Sequence, residues 1–382
     1  MTERSGGATV FQRMGLESLI NAGGSNTRHS GSRMRPEVIA AFQEAADVFL
    51  QIDEVMLKAG AMIAEMVGVE AATITSGAAG GLVLQSAAAM TGTDPAKIAV
   101  LPDTDGMADE LLIQRQHRFH YDAAYLMTGA KFVEVGKARA CHPEELAAAI
   151  TDRTAGVIYL VSPFIGRQGI PLPQLAEIAH RHGVPVLCDA ASMLPPRKNL
   201  TLFLEQGADI VSFSGGKGMR GPQSTGILLG KKELVEAARL NGAPLQAIGR
   251  PMKVSKEEIF GLVAAVESFI NEDEEAENAA YRRDMEMVVD QIAEVPGIRA
   301  LVEHDDVNHP IPHAMVYFER GWRGPDGPEI ARRLMARSPR VYISTMGFAG
   351  EIYIDPFNLQ PGEIEVVAES LREELLRASA GE

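Results

Sequence analysis

Three short segments carry residue types that do chemistry. The first is Ser214-Gly215-Gly216-Lys217-Gly218, a lysine set among glycines after an apolar run. Glycine lets a backbone turn sharply and approach a ligand closely. A lysine whose proton affinity is lowered by its surroundings condenses with carbonyl compounds. The second is Val186-Leu187-Cys188-Asp189-Ala190-Ala191, an apolar strand that ends on a carboxylate. At the carboxyl end of a parallel strand such a group points into a ligand crevice. There it can pair with a cationic ring nitrogen; elsewhere it would cap a helix or make a structural ion pair. The third is Thr75-Ser76-Gly77-Ala78-Ala79-Gly80-Gly81, in which a strand gives way to a helix. Free N–H groups, a hydroxyl and the helix dipole suit a phosphate. Each segment alone also has an ordinary structural reading. Together they run in the order anion loop, carboxylate, lysine, spaced by about 110 and 28 residues, and all three sit at carboxyl ends of predicted strands.

Two other motifs overlap the lysine. Gly216-Lys217-Gly218-Met219-Arg220-Gly221 spells G-x-G-x-x-G, but that fingerprint needs a helix directly after the turn, and Pro222 and a strand follow here. Ser214-Gly215-Gly216-Lys217 spells S-x-x-K, without the Ser-Asp-Asn or Lys-Thr-Gly elements that accompany it in penicillin-binding enzymes. An acyl-serine enzyme is therefore not expected, and a nicotinamide-dependent oxidoreductase stays as a lesser alternative that the missing helix argues against.

The elements that must position these residues follow from the hydrophobic pattern. Strands are expected at 72–75, 98–101, 132–135, 157–161, 184–189, 210–214 and 226–229, with helices at 80–90, 107–117, 143–150 and 173–182. Such alternation predicts a mainly parallel, seven-stranded sheet sandwiched by helices. The link between residues 214 and 226 is too short for a parallel crossover, so those two strands are expected to be antiparallel. Residues 1 to about 35 read as irregular, and Pro36 opens a helix. A long helix, broken once, is expected over 256–294. A small α+β unit with strands at 314–318, 341–344 and 352–354 and a closing helix at 363–377 follows. The expected division is an N-terminal segment 1–45 packing with the small domain or a partner subunit, a large domain 46–255, and a small C-terminal domain 256–382.

The chain has 382 residues, 46% hydrophobic and 23% charged, enough for two domains with a sizeable core. A formal net charge of −15 argues against a nucleic-acid partner. Cys141 and Cys188 match no metal spacing, Cys188 reads as a buried strand thiol, and His304, His309 and His313 read as loop residues outside any zinc motif, so no metal is expected. Residues 1–7 have no apolar leader core, and no run reaches the ~18 apolar residues of a membrane span. A soluble, cytoplasmic protein is expected.

The order and wording of these segments resemble pyridoxal-5'-phosphate (PLP) enzymes of the aspartate-aminotransferase-like fold, fold type I. The resemblance is to the selenocysteine-synthase-like branch, which includes bacterial selenium transferases and, more closely similar, D-glucosaminate-6-phosphate ammonia-lyases. It covers most of the chain. It rests on Leu19-Ile20-Asn21-Ala22-Gly23-Gly24, Met34-Arg35-Pro36-Glu37-Val38, the three segments above, Arg220-Gly221-Pro222-Gln223-Ser224-Thr225-Gly226 and Arg250-Pro251-Met252-Lys253-Val254. It implies that Lys217 carries the cofactor and that Asp189 pairs with its pyridine nitrogen. Ser76, Gly77 and Ala78 would hold the phosphate with help from Ser214, and His117 would stack on the ring. Gln223 and Ser224 would reach a neighbouring subunit's phosphate in a homodimer or higher homo-oligomer.

On the substrate side, Arg28, Arg33 and Arg35 cluster near the N-terminus, and Arg250 and Lys253 form a second basic pair. Arginine forks suit carboxylate and phosphate, so a small anionic amino-acid-type substrate is expected. The strand Ile352-Tyr353-Ile354-Asp355 has no arginine where many aminotransferases hold a carboxylate. The expected activity is a lyase that removes the Cα proton and eliminates at Cβ, releasing ammonia from an amino sugar acid or β-hydroxy amino acid. An amino-acid racemase or epimerase is the alternative. Selenium transfer on a seryl-tRNA is disfavoured by the acidic charge and the short N-terminal segment, and a catalytically silent homologue stays open.

Overall fold

The computed structural model describes residues 9–162, 169–305, 309–346 and 350–381. The leader reading of residues 1–7 lies outside them. In chain order the elements begin with α1 (Val10–Arg13), β1 (Leu19–Ala22), α2 (Pro36–Ala46), α3 (Ile52–Val67), β2 (Ala71–Ser76), α4 (Gly77–Thr91), α5 (Pro95–Val100) and β3 (Glu110–Gln114). There follow α6 (Asp122–Leu126), β4 (Lys131–Val135), α7 (Pro143–Ala149), β5 (Thr154–Leu160), α8 (Leu172–Arg181), β6 (Val186–Asp189), α9 (Asn199–Glu205), β7 (Ile210–Ser214), β8 (Thr225–Gly230) and α10 (Lys232–Asn241). The last are α11 (Lys256–Ile270), α12 (Glu274–Ile292), β9 (Ile298–Glu303), β10 (His313–Phe318), α13 (Gly327–Met335), β11 (Arg340–Met346), β12 (Glu351–Ile354) and α14 (Glu363–Ser379).

The chain divides into two units, Asn26–Glu272 and Met1–Ser25 with Asp273–Glu382. These bounds differ from the expected 45 and 255. Helix α11 packs on α2 and α3, which keeps it in the large unit, and Ser32 hydrogen-bonds to the backbone beside Lys217. The break foreseen in the long helix lies at Asn271-Glu272-Asp273, where Asp273 caps α12 by accepting from the Ala276 N–H.

The large unit is built on a seven-stranded sheet in the order β2-β8-β7-β6-β5-β3-β4. Only β8 is reversed, being antiparallel to both β2 and β7. The sheet is buried on both faces, and its side chains part by alternation. Val186 and Cys188 enter one core cluster with Val157, Val211 and Phe213, while Leu187 enters another with Leu111, Ile158 and Ile210.

Two expected elements change type. Residues 98–101 fall at the end of helix α5 and the Leu101 that follows it; α5 starts on Asp94, whose side chain accepts from the Ala96 N–H, with Pro95 in the first turn. The expected helix at 107–117 contains β3. Its run Leu111-Leu112-Ile113 is buried on both faces, so no polar–apolar alternation marks it as a strand.

The small unit holds a five-stranded sheet, β1-β11-β12-β10-β9, covered by α12, α13 and α14. Its first strand comes from the segment read as irregular: Leu19–Ala22 pairs in parallel with residues 340–343. His313 is the buried first residue of β10 rather than a loop residue, and His309 is buried beside it. Among the described residues no helix is long and apolar enough to cross a membrane.

The amino ends of the central strands are tied by Asp209, which is 1% exposed. Its carboxylate accepts from the Val186 N–H at 2.6 Å, from His180 at 2.8 Å and from Lys231 at 2.6 Å. Asp209→Ala leaves that amide unpaired at a buried edge, so we expect a loss of roughly 3 kcal/mol in urea unfolding. A loss under about 0.5 kcal/mol, the size of a neutral surface change, would contradict the assignment.

Candidate functional site

The lysine lies in the connection between β7 and β8, where Ser214 pairs with Gly226 across the ladder. The chain here is packed backbone on backbone. A Cβ on Gly216 would sit 2.4 Å from the Gln223 Cα, and one on Gly218 would sit 2.3 Å from the Leu194 carbonyl oxygen. Only glycine fits either place, which explains the sequence around Lys217. From outside the loop, the Ser32 hydroxyl donates to the carbonyls of Lys217 at 2.7 Å and Gly216 at 3.1 Å. Gln223 Nε2 donates to the Thr27 carbonyl at 2.9 Å. The region following the N-terminal strand therefore clamps the lysine loop, a contact that nothing in the sequence announces.

Asp189 closes β6. Among the described residues its carboxylate accepts one hydrogen bond, from the Ala191 N–H at 3.0 Å. Burial raises its pKa to about 6, against the smaller pull of that N–H and of Lys217. Burial likewise lowers the proton affinity of Lys217, against the pull of Asp189. The Lys217 amine donates to the Ser192 hydroxyl at 2.7 Å. A buried carboxylate this sparsely satisfied is an acceptor prepared for a cation.

The third segment turns from β2 into α4 at Gly77, whose φ of +67° favours glycine. Ser76 occupies the N-cap position yet makes no side-chain capping bond, so the first-turn N–H groups of α4 are left for a ligand.

These parts meet. Gly77, Ala78, Asp189, Ser214, Lys217 and Gln223 line one cavity of about 150 Å³. Ala79 and Ala191, from the same segments, line it too, as do Thr27, Phe119, Tyr121, Ser162 and Ser192, which the sequence did not single out. Ser76 and Ser224 do not; the Ser224 hydroxyl donates to Glu258.

His117 departs furthest from expectation. It is buried away from the lining, its Nδ1 accepts the Leu160 N–H at 3.2 Å, and its ring meets Tyr159 edge-on at 4.6 Å. Burial lowers its pKa to about 4. An aromatic ring two residues on, Phe119, faces the cavity instead.

The basic residues also scatter. Arg35 stands at the N-cap position of α2 without capping it; its side chain pairs with Glu272 and donates to the Ser268 hydroxyl at 3.1 Å, so it ties α2 to the end of α11. Arg28 and Arg33 are exposed and absent from the lining. Arg250 and Lys253 line a separate cavity of about 200 Å³ beside β2 and α10. The glycine-rich decoy is followed by strand β8, which removes the helix a dinucleotide site needs.

A mainly parallel seven-stranded sheet, with lysine, carboxylate and helix N-terminus converging at strand ends, defines a fold-type I PLP enzyme. The comparisons with known proteins agree. The family described as L-seryl-tRNA selenium transferase matches residues 119–295. A 5'-C-glycyluridine monooxygenase-decarboxylase from Streptomyces sp is 31% identical, covering 98% of this chain and 94% of that protein. The D-glucosaminate-6-phosphate ammonia lyase of Salmonella typhimurium is 30% identical over 95% of this chain and 97% of its own. A solved structure of D-glucosaminate-6-phosphate ammonia-lyase superposes with a TM-score of 0.83 at 29% identity, covering 97% of this chain and 99% of that one. The chain belongs to the selenocysteine-synthase-like family of fold-type I PLP enzymes.

The raised pKa of Asp189 makes a stability prediction. The folded state binds this proton more tightly than the unfolded chain, so the group destabilises the cofactor-free protein above about pH 6 and stops doing so below about pH 4. Asp189→Asn should therefore stabilise cofactor-free protein at pH 8, by at most about 3 kcal/mol, with the difference shrinking as pH falls. Unfolding curves with no gap at pH 8, or a gap independent of pH, would refute it.

Proposed function

We propose that this enzyme is a PLP-dependent lyase that removes the Cα proton of a small anionic amino acid or amino sugar acid, expels a Cβ substituent and releases ammonia. The observation that carries the reading is the single cavity shared by Lys217, Asp189 and the start of α4. The residues fit the cofactor. The sparsely bonded Asp189 carboxylate suits a protonated ring nitrogen, the uncapped N–H groups of Gly77 to Ala79 with the Ser214 hydroxyl suit a phosphate, and Phe119 offers an apolar face.

When bound, the cofactor supplies an electron sink that makes the Cα–H bond of an attached amino acid acidic. Asp189 would keep the ring nitrogen protonated, a role its burial favours because a nearby cation relieves an isolated charge. Lys217 would hold the cofactor and, as an amine freed of its proton, take the Cα proton. Burial already biases that amine toward its neutral form.

The near full-length likeness to an ammonia lyase supports elimination of ammonia as the outcome. A second reading has support in the 31% identical monooxygenase-decarboxylase, which would add molecular oxygen as a co-substrate. A cytoplasmic homo-oligomer is part of this proposal; the exposed apolar side chains Phe49, Leu50, Leu57 and Met62 favour burial against another copy.

The test is a titration of the PLP-loaded protein with D-glucosaminate 6-phosphate, followed by visible absorbance, ammonia release and oxygen consumption. A band shift with ammonia and no oxygen uptake is expected. Ammonia absent while oxygen is consumed on amino acids would overturn the lyase reading in favour of the second. In the same assay Phe119→Ala should weaken cofactor retention by about tenfold, the ~1.4 kcal/mol of a lost ring contact. His117→Asn should destabilise the fold with retention little changed. The reverse ranking would return the stacking role to His117.

A further inference from the structure

The turn that follows β6 holds more than Asp189. The Ala190 N–H donates to the Ser212 carbonyl at 3.0 Å, and the Met193 N–H donates to the Ala190 carbonyl at 3.0 Å. The Ala191 N–H binds the Asp189 carboxylate at 3.0 Å. Asn199 Nδ2 then secures the Met193 carbonyl at 2.6 Å, and Gly218 packs against Leu194 so closely that no side chain fits between them. Ser192 is thus presented on a turn fixed on both sides, with its hydroxyl 2.7 Å from the Lys217 amine. Ser192 is itself exposed and lines the Lys217 cavity.

We propose that Ser192 is the positioning residue for Lys217: its hydroxyl sets the direction of the amine in the cavity and favours the amine's protonated form by accepting one of its hydrogens. This rests on Lys217 being the reactive amine of the reading above. The physical argument is one of competition. Burial disfavours a charged ammonium at this place, and Asp189 alone opposes it through space. A hydroxyl acceptor at hydrogen-bond distance adds a directional term that stabilises the charged form more than the neutral one. Because the hydroxyl is reached by solvent, it also gives the half-buried amine a route for proton exchange. One rigid turn thereby sets the carboxylate on one side of the cavity and the orientation of the amine on the other.

The experiment uses cofactor-free full chain and cyanate, which carbamylates only neutral amines. The modification of Lys217, read by peptide mass spectrometry between about pH 6 and 10, reports its proton affinity. In Ser192→Ala the midpoint should fall by roughly half to one unit, a threefold to tenfold rise in neutral amine at fixed pH. Ser192→Thr, which keeps the hydroxyl, should restore the wild-type midpoint. In loaded protein Ser192→Ala should lower kcat about tenfold with little change in KM, because orientation and not binding is lost.

An unchanged midpoint in Ser192→Ala, or a shift that Ser192→Thr does not reverse, overturns the proposal. A purely structural Ser192 would lower thermal stability and leave the midpoint in place. Failure of the wild-type protein to attach PLP at Lys217 would instead refute the underlying reading of the site, so the two failures are distinguishable.

Discussion

Everything in the large unit is arranged around one electrostatic tension. A buried carboxylate and a half-buried amine meet at the rim of the sheet, each pushed by burial toward its uncharged form and pulled back by the other. Neither would persist there for stability, since a partly satisfied buried charge costs free energy. The parallel strands resolve where the tension sits. β6 ends on Asp189 and β7 ends just before Lys217, and the two strands are direct neighbours with Asp189 opposite Ser212. Reversing β8 lets the loop after β7 return without a helix, which leaves the lysine on a short, tightly packed turn.

Much of this was legible in the chain. The strand ending on Asp189, the helix opening after Ser76 and the antiparallel return after Lys217 each follow from local pattern, because an apolar run, a glycine turn and a ten-residue link leave few alternatives. Cofactor chemistry followed from the order of three segments together with the family likeness. What stayed hidden was tertiary. β3 has apolar residues on both faces and so lacks the alternation that marks a strand. β1 is made by pairing with residues more than three hundred positions away. Phe119 and Ser192 enter the site through packing, and a phenylalanine or serine in a loop carries no signal of its own. His117 shows the converse: a residue of catalytic type whose Nδ1 accepts the Leu160 N–H and which does not line the cavity.

The basic residues illustrate how charge alone misleads. Arg35 is an arginine at a helix start that serves the fold by joining Glu272 and Ser268. Arg250 and Lys253 share a different cavity from Lys217, although both cavities border the turn through Thr75 on one side and Gly77 on the other. Clustering in sequence is weak evidence of clustering in space unless an element of known period connects the positions.

The central claim is that Lys217, and no other lysine, bears the cofactor. Reduction of the PLP-loaded protein with borohydride fixes the cofactor to whichever amine holds it, and peptide mapping then locates the label. The account predicts one label per chain, on Lys217, and none in Lys217→Ala. Label on a different lysine, or label retained in Lys217→Ala, would contradict it.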